Sequence, residues 1–450
     1  MLLDTNNTKI QLVFQQYVCR NFRFENNGKE LWLDFNSKQE TKDVYCKYCG
    51  NNDVEVHDNY TTKITDMPVW PGVRQLIRVT YHKYKCRCCN KVFNEDISFK
   101  DPNARITTRA AQFIKTLLSL GLATSSVSQI TGIHWDTIRK LHTQTMKEAL
   151  ETRTKLLKEQ GYKPTYLAVD EFAIHKGQSY ATCVMDLIQG DVLWVGKGRN
   201  MEDFRKFFTE FDMDYLREVK AVAMDMNAAF NVLVEEYLPE AAIVYDRYHI
   251  QAQFGKEVLT SVRLRAAKEH QKSAKSADEE RKFVKRREDK RECRKMQREE
   301  NKKFKELKNA RWVVLTNSNN LSDEDKASLK SILEEHQELA VCYAMKEEMN
   351  RLFSLTEEAQ AREGWTKWFE AAKESEIPEL VKFAQNKEKY IEGLISHAEH
   401  QISTGKLEGL NNKIKVAKRV GYGFRDDDYF FTLVRYITLP KNFMLFPQNT

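Results

Sequence analysis

Glycine and proline are scarce in this chain, 17 and 8 among 450 residues. That scarcity excludes collagen-like and low-complexity classes and argues for a folded protein, which at this length means about three domains. No apolar run reaches the roughly 18 residues that a bilayer-crossing helix needs, so no membrane span is expected. The opening residues, MLLDTNNTKIQLVFQQ, lack the basic-then-apolar layout of a secretory leader, and a cytoplasmic protein is expected. Cysteine does not form a disulfide pattern either. Nine is an odd number, and five of them lie between Cys46 and Cys89, which points to a metal site in an unsecreted chain.

One stretch lacks helix breakers altogether. Neither glycine nor proline occurs between Gly255 and Gly364, and the residues there are strong helix formers. Within it, Arg263 to Lys308 holds 19 Lys/Arg against 10 Asp/Glu, more than the whole formal excess of +7. A long solvated helix or helical pair is expected. An exposed helix laced with ion pairs and a phosphate-contacting arm share this pattern, and both readings stay open.

Periodicity divides the rest. Residues 1–40 are polar with scattered aromatics (Phe22, Phe24, Trp32, Phe35) and give no clear element. Residues 41–100 read as short strands between cysteine pairs, and 105–150 as three helices, Arg105–Leu120, Ser126–Thr131 and Trp135–Met146. From 165 to 250, strands and helices alternate. Three consecutive strands (YLAVDEFAI, YATCVMDLI, DVLWVGKG) predict an antiparallel meander, and two strand–helix–strand units extend it in parallel. The fifth strand is expected over AAIVYDRYHI, Ala241–Ile250. Helices follow, one capped by Ser322 and a last one near Lys406–Val420.

Four groups of residues carry chemistry. Cys46-x2-Cys49 and Cys86-x2-Cys89 supply four thiolates, the donor set of a structural Zn²⁺ site, with Cys88 as an alternative ligand. SSVSQITGIHWDTIRKLH (Ser125–His142) fits a helix-turn-helix in which His134, Asp136, Thr137, Arg139 and Lys140 face a groove and Ile133, Ile138 and Leu141 pack inward. A plain helical hairpin has the same pattern. Asp170 and Asp225 end the apolar runs of the first and fourth strands, where carboxylates can converge on cations. A third carboxylate would complete two-metal phosphoryl chemistry, and Glu171, Asp186, Asp246 and Glu408 are the candidates. Glu171 should point to the opposite sheet face from Asp170. Glu408 opens a helix whose same face carries Asn412, Lys415 and Arg419.

The blocks VDEFAIHKGQSYATCVMDL (Val169–Leu187), MDMNAAF (Met224–Phe230), DRYHI (Asp246–Ile250) and LEGLNNKIKVAKRVGYGFRDDDYF (Leu407–Phe430) resemble the ISL-three family of bacterial insertion-sequence transposases. The resemblance runs from about Val44 to Thr438. It implies a multidomain α+β chain: an N-terminal segment (1–40), a zinc ribbon (41–100), a helix-turn-helix domain (101–150) and a ribonuclease-H-like mixed-sheet catalytic core (160–250 and 404–450), interrupted by an all-helical insertion (251–403). It also implies a DDE triad of Asp170, Asp225 and Glu408 holding two Mg²⁺ (or Mn²⁺) ions. Asp246 and His249 are second-tier site residues. The expected activity is cutting at the element's inverted repeats and joining the 3′-hydroxyl to target double-stranded DNA, by a homo-oligomer bound to DNA. A nuclease of the same fold that does not join strands, and a non-enzymatic zinc-binding DNA regulator, are the rival readings.

Overall fold

The computed structural model describes residues 14, 16–70, 72–175, 177, 179–402 and 405–444. They divide into two compact units: residues up to Gly161 together with those from Asn411, and Tyr162–Leu410. Among the described residues no helix is long and apolar enough to cross a membrane.

In the first unit, Asn26 and Asn27 adopt left-handed backbone (φ 53° and 52°) ahead of Gly28, and the chain reverses there. The turn joins β1 (Tyr17–Glu25) to β2 (Glu30–Ser37) as an antiparallel hairpin. β2 runs parallel to β4 (Arg74–Cys86), which pairs antiparallel with β3 (Val54–Asp66) and with the short β5 (Val92–Asn94). The sheet that carries the cysteine knuckles therefore begins at Tyr17, and a border near residue 41 would cut through one hydrogen-bonded sheet. Phe14, Tyr17, Phe35, Ile64, Ile77, Val79 and Phe99 form its core.

Three helices follow: α1 (Thr108–Ser119), α2 (Thr124–Thr131) and α3 (Trp135–Glu159). Thr107 caps the first by accepting from the Ala110 amide, which sets its start later than Arg105. Gly132 ends α2 at φ +67°, and a Cβ there would lie 2.6 Å from Arg74 Cγ, so glycine serves both the turn and the close approach. Helix α3 continues well past Met146, because helix-forming residues follow and Leu150 and Leu157 remain buried. The helix Asp427–Tyr436 packs on it: the His142 ring hydrogen-bonds Tyr429 Oη at 2.8 Å, and Tyr429 and Tyr436 cluster with Met146 and Leu150. The C-terminal stretch 404–450 is shared between the two units. Its residues through Leu410 fall in the second unit and those from Asn411 in the first.

The second unit is built on β6 (Tyr166–Ala173), β7 (Tyr180–Asp186), β8 (Val192–Lys197), β9 (Ala221–Met224) and β10 (Ala242–Tyr245). Their spatial order is β10-β9-β6-β7-β8. β6–β7 and β7–β8 are antiparallel while β6–β9 and β9–β10 are parallel, as the meander-plus-crossovers pattern predicts. Helices α4 (Met201–Glu210) and α5 (Ala228–Tyr237) supply Phe204, Phe207, Phe208, Leu233 and Val234, which pack against Leu167, Val169, Val184 and Trp194 of the sheet. β10 stops five residues short of the expected Ile250. The Asp246 carboxylate accepts from the Tyr248 amide at 2.8 Å and caps α6 (Arg247–Phe254), so DRYHI turns helical.

A π-helical turn, Gly255–Leu259, leads into α7 (Thr260–Phe283), and α8 (Arg287–Asn309) folds back beside it. The basic tract is thus a helical pair. Shorter helices occupy the chain up to Ile395, the first turn of Asp323–Glu335 being capped by Ser322. Their core gathers Phe254, Trp365, Trp368, Phe369 and Phe383. Two buried cations hold helix ends by donating to backbone carbonyls: Arg263 to Leu307 and Lys308, and Lys346 to Thr316.

Candidate functional site

Sheet register brings three carboxylates to one edge. The β6–β9 ladder aligns Ala168 with Ala223, and the β9–β10 ladder aligns Met224 with Tyr245. Carried one or two residues forward, these registers set Asp170, inside β6, level with Asp225 and Asp246, which directly follow β9 and β10, on three adjacent strands about 4.8 Å apart. The Asp246 amide extends the ladder by donating to the Met224 carbonyl at 3.0 Å. Ligand atoms of Asp225, Asp246 and His249 all lie within 4.8 Å of one another. His249 Nδ1 is 2.7 Å from Asp225 Oδ2, and that hydrogen bond raises the imidazole pKa to about 9, against the lowering effect of burial. Asp246 and Asp170 add to the rise, so both carboxylates bear on this ring. His249 reaches Asp225 from the first turns of α6, not from a strand.

Two other acids have different surroundings. The Asp186 carboxylate is buried, accepting from Tyr162 Oη (2.7 Å) and from the amides of Ile188 (2.8 Å) and Gln189 (3.2 Å). These contacts make it the cap of the β7–β8 turn. Glu171 is half-buried and accepts from Asn227 Nδ2 at 3.3 Å, and desolvation raises its pKa. Asn227 also caps α5 immediately after Asp225.

Glu408 lies on the exposed face of the helix Gly405–Val420, with Asn412, Lys415 and Arg419 exposed along it and Leu407, Leu410 and Ile414 buried. Neither it nor Asp170 is part of the Asp225–Asp246–His249 group. Lys406 Nζ donates to the carbonyls of Leu187 (2.5 Å) and Ile188 (2.8 Å) in the β7–β8 turn. That turn lies at the start of β6, where Leu167 pairs with Asp186, and Asp170 is further along the strand.

In the first unit, His134 caps α3, and both His134 and Lys140 are exposed, with Thr137 partly so. Arg139 is engaged within the molecule, 2.5 Å from Asp426 Oδ2 and over the Tyr429 ring at 4.8 Å. Ile133, Ile138 and Leu141 are buried in the three-helix core. The sulfurs of Cys46, Cys49, Cys86 and Cys89 lie within 4.8 Å of one another, with Cys46–Cys89 at 3.5 Å and Cys49–Cys86 at 3.6 Å. Thiolates placed tetrahedrally at about 2.3 Å around zinc would sit about 3.8 Å apart, so this set fits that ion. Cys88 is exposed and outside the group.

Comparison with known proteins adds to this geometry. The DDE transposase family of the ISL-three type matches residues 167–434. The transposase for insertion sequence element IS1001 of Bordetella parapertussis is 32% identical over 398 residues, covering 88% of this chain and 89% of that protein. Transposases for insertion sequence element IS1557 from two strains of Mycobacterium tuberculosis are 26% identical over 269 residues, 59% of this chain and 58% of theirs. The family match spans the mixed sheet from Leu167 onward and its helical continuation, including all three aligned carboxylates and Glu408. The chain belongs to the ISL-three family of insertion-sequence transposases.

Proposed function

We propose that the chain binds the terminal inverted repeats of its insertion element, cuts the DNA there and joins the freed 3′-hydroxyl to target DNA. The row of Asp170, Asp225 and Asp246 across three adjacent strands, in a chain of this family, carries the reading. The strand order, with an antiparallel meander beside the first strand, is the order expected of a ribonuclease-H-like core. It supports taking 160–250 and the start of the Gly405–Val420 helix as that core, with 251–403 as the insertion.

Asp170, Asp225 and Glu408 are assigned as the acids that hold two Mg²⁺ (or Mn²⁺) ions, whose oxygen-only donor set suits hard cations. When bound, such ions activate water and clamp the attacking and leaving oxygens of an in-line displacement. His249 orients the Asp225 carboxylate through one oxygen, and Asp246 holds the helix turn that presents His249. Asn412, Lys415 and Arg419 offer hydrogen-bond donors to DNA phosphates along the Glu408 face. His134, Thr137 and Lys140 are assigned to repeat recognition, with Arg139 bracing the helix through Asp426. The four cysteines hold a structural Zn²⁺ that stabilises the ribbon. The active form is assigned as a homo-oligomer on DNA in the bacterial cytoplasm, associated with the nucleoid.

One observation favours a second reading of the third acid: Asp246 offers a ligand atom within 4.8 Å of those of Asp225 and His249. A paired gel-shift and strand-transfer assay in Mg²⁺ on Glu408→Gln and Asp246→Asn separates the two. Loss of one charged ligand should lower cleavage and joining by roughly two to three orders of magnitude, with repeat binding intact. If Glu408→Gln cuts normally while Asp246→Asn is dead, Asp246 is the third acid. Cleavage without joined product by the unaltered chain would mark a nuclease, and repeat binding with no cleavage in Mg²⁺ or Mn²⁺ a DNA regulator.

A further inference from the structure

Immediately beyond the carboxylate row lies a cavity of about 490 Å³, lined by Asp246, Arg247, Tyr248, Gln251, Phe353 and His397 among others. Its size falls within the roughly 300–1,000 Å³ typical of small-ligand sites. The lining is mixed, and most of it is held in place. Arg247 lays its guanidinium over the Phe353 ring at 5.7 Å. His397 packs edge-on to the same ring at 5.1 Å. Its Nε2 lies 2.5 Å from the Tyr245 carbonyl, which can only accept, so Nε2 carries the proton and Nδ1 is an acceptor. Gln251 is oriented by a hydrogen bond from its Nε2 to Asn350 Oδ1.

Tyr248 is the anomaly. It is 73% exposed, although its backbone is fastened by the Asp246 cap, and its ring lies 6.2 Å from that of His249. An aromatic ring presented to solvent on a rigid helix turn, beside a cavity with two further planar groups and several amide and imidazole edges, suits a ligand with a π-face and a polar rim. A nucleobase has both. A phosphate does not fit as well, because Asp246 faces the cavity and offsets Arg247.

We propose that this cavity receives one unstacked base of the DNA strand lying at the carboxylate row, stacked on Tyr248 and read at its edge by the Gln251 and His397 side of the cavity. The inference rests on the transposase reading above and names the DNA feature its site recognises. Unstacking one base turns the backbone outward and would present the neighbouring phosphate to Asp170 and Asp225.

The test is a binding cycle on the full chain, without divalent ions, using duplexes that carry the element end and its flank. Tyr248→Ala should bind more weakly than the unaltered chain, on the order of tenfold, and Tyr248→Phe, which keeps the ring, should recover most of the loss. Replacing bases one at a time by abasic residues across the cut point should erase the difference at one position only, where no base remains to be stacked. A deficit that persists at every abasic position, or no deficit at all, overturns the proposal. So does its disappearance when free deoxynucleotides are added at millimolar concentration, which would mark a site for free nucleotides instead. If the unaltered chain binds and cuts element ends but the abasic scan is flat, only this inference falls. If it neither binds nor cuts them, the transposase reading falls as well and takes this one with it.

Discussion

Asp225 and His249 form an ion pair at the centre of the candidate site, and its pH dependence follows from the direction of the shift. The Asp225 hydrogen bond lifts His249 from its ordinary 6.5 to about 9. A raised histidine contributes stability fully below the unfolded value, and the contribution is lost as pH rises through the folded one. In buffer without magnesium or manganese, the calorimetric transition of residues 162–410 should therefore shift to lower temperature as pH rises between about 6.5 and 9. His249→Gln should remove that component of the slope. A melting series giving identical slopes for the two proteins would show that the pair contributes nothing. Much of this site is legible in the sequence, since a carboxylate ending an apolar strand run is visible without coordinates. Asp170 and Asp225 are such residues. Asp246 and His249 are legible as residues but not as geometry: IVYDRYHI is rich in β-branched and aromatic residues and reads as one strand, and only the capping bond from the Tyr248 amide to Asp246 decides that the chain turns helical there.

Among the elements, the α7–α8 pair shows a limit of pattern reading. Its connection at Val284 is extended (ψ 136°) and contains neither glycine nor proline, so nothing in the sequence marks where one long helix becomes two. The β1–β2 hairpin is the opposite case. Asn26-Asn27-Gly28 between Phe24 and Trp32 is a recognisable turn signal, masked by the polarity of the residues that flank it. The charge of the helical pair is partly internal, with Lys295–Glu299 and Lys302–Glu306 spaced one turn apart. Around the connection it is not. Lys285, Arg286, Arg287 and Arg291 are exposed and have no ion pair among the described residues, and Phe283 beside them is 83% exposed. Neutralising those four cations should weaken binding to repeat and random DNA about equally. It should also reduce the slope of log affinity against log salt by up to about 0.9 for each phosphate no longer neutralised. An unchanged slope would leave the pair as a solvated structural element.

For the molecule as a whole, two units with separate cores predict separable losses. Removing zinc by chelation, or Cys46→Ser, should unfold the cysteine end of the first sheet and abolish repeat binding. Residues 162–410 rest on cores that include none of these cysteines, so their transition should persist in calorimetry. Elemental analysis should find one Zn²⁺ per chain, and a freshly purified protein without zinc would refute the assignment. The order of parts along the chain has a further consequence, in time. Every strand of the mixed sheet has left the ribosome soon after Tyr245, and the row of three aspartates with it, while Glu408 emerges about 160 residues later. At about 5–20 residues per second that interval is roughly 10–30 s, long enough for the nascent sheet to form while the helices that follow it are still being made. If Glu408 is the third acid of the proposed site, the nascent chain would complete the sheet well before its last metal ligand, and a product of interrupted synthesis would be expected to lack cleavage.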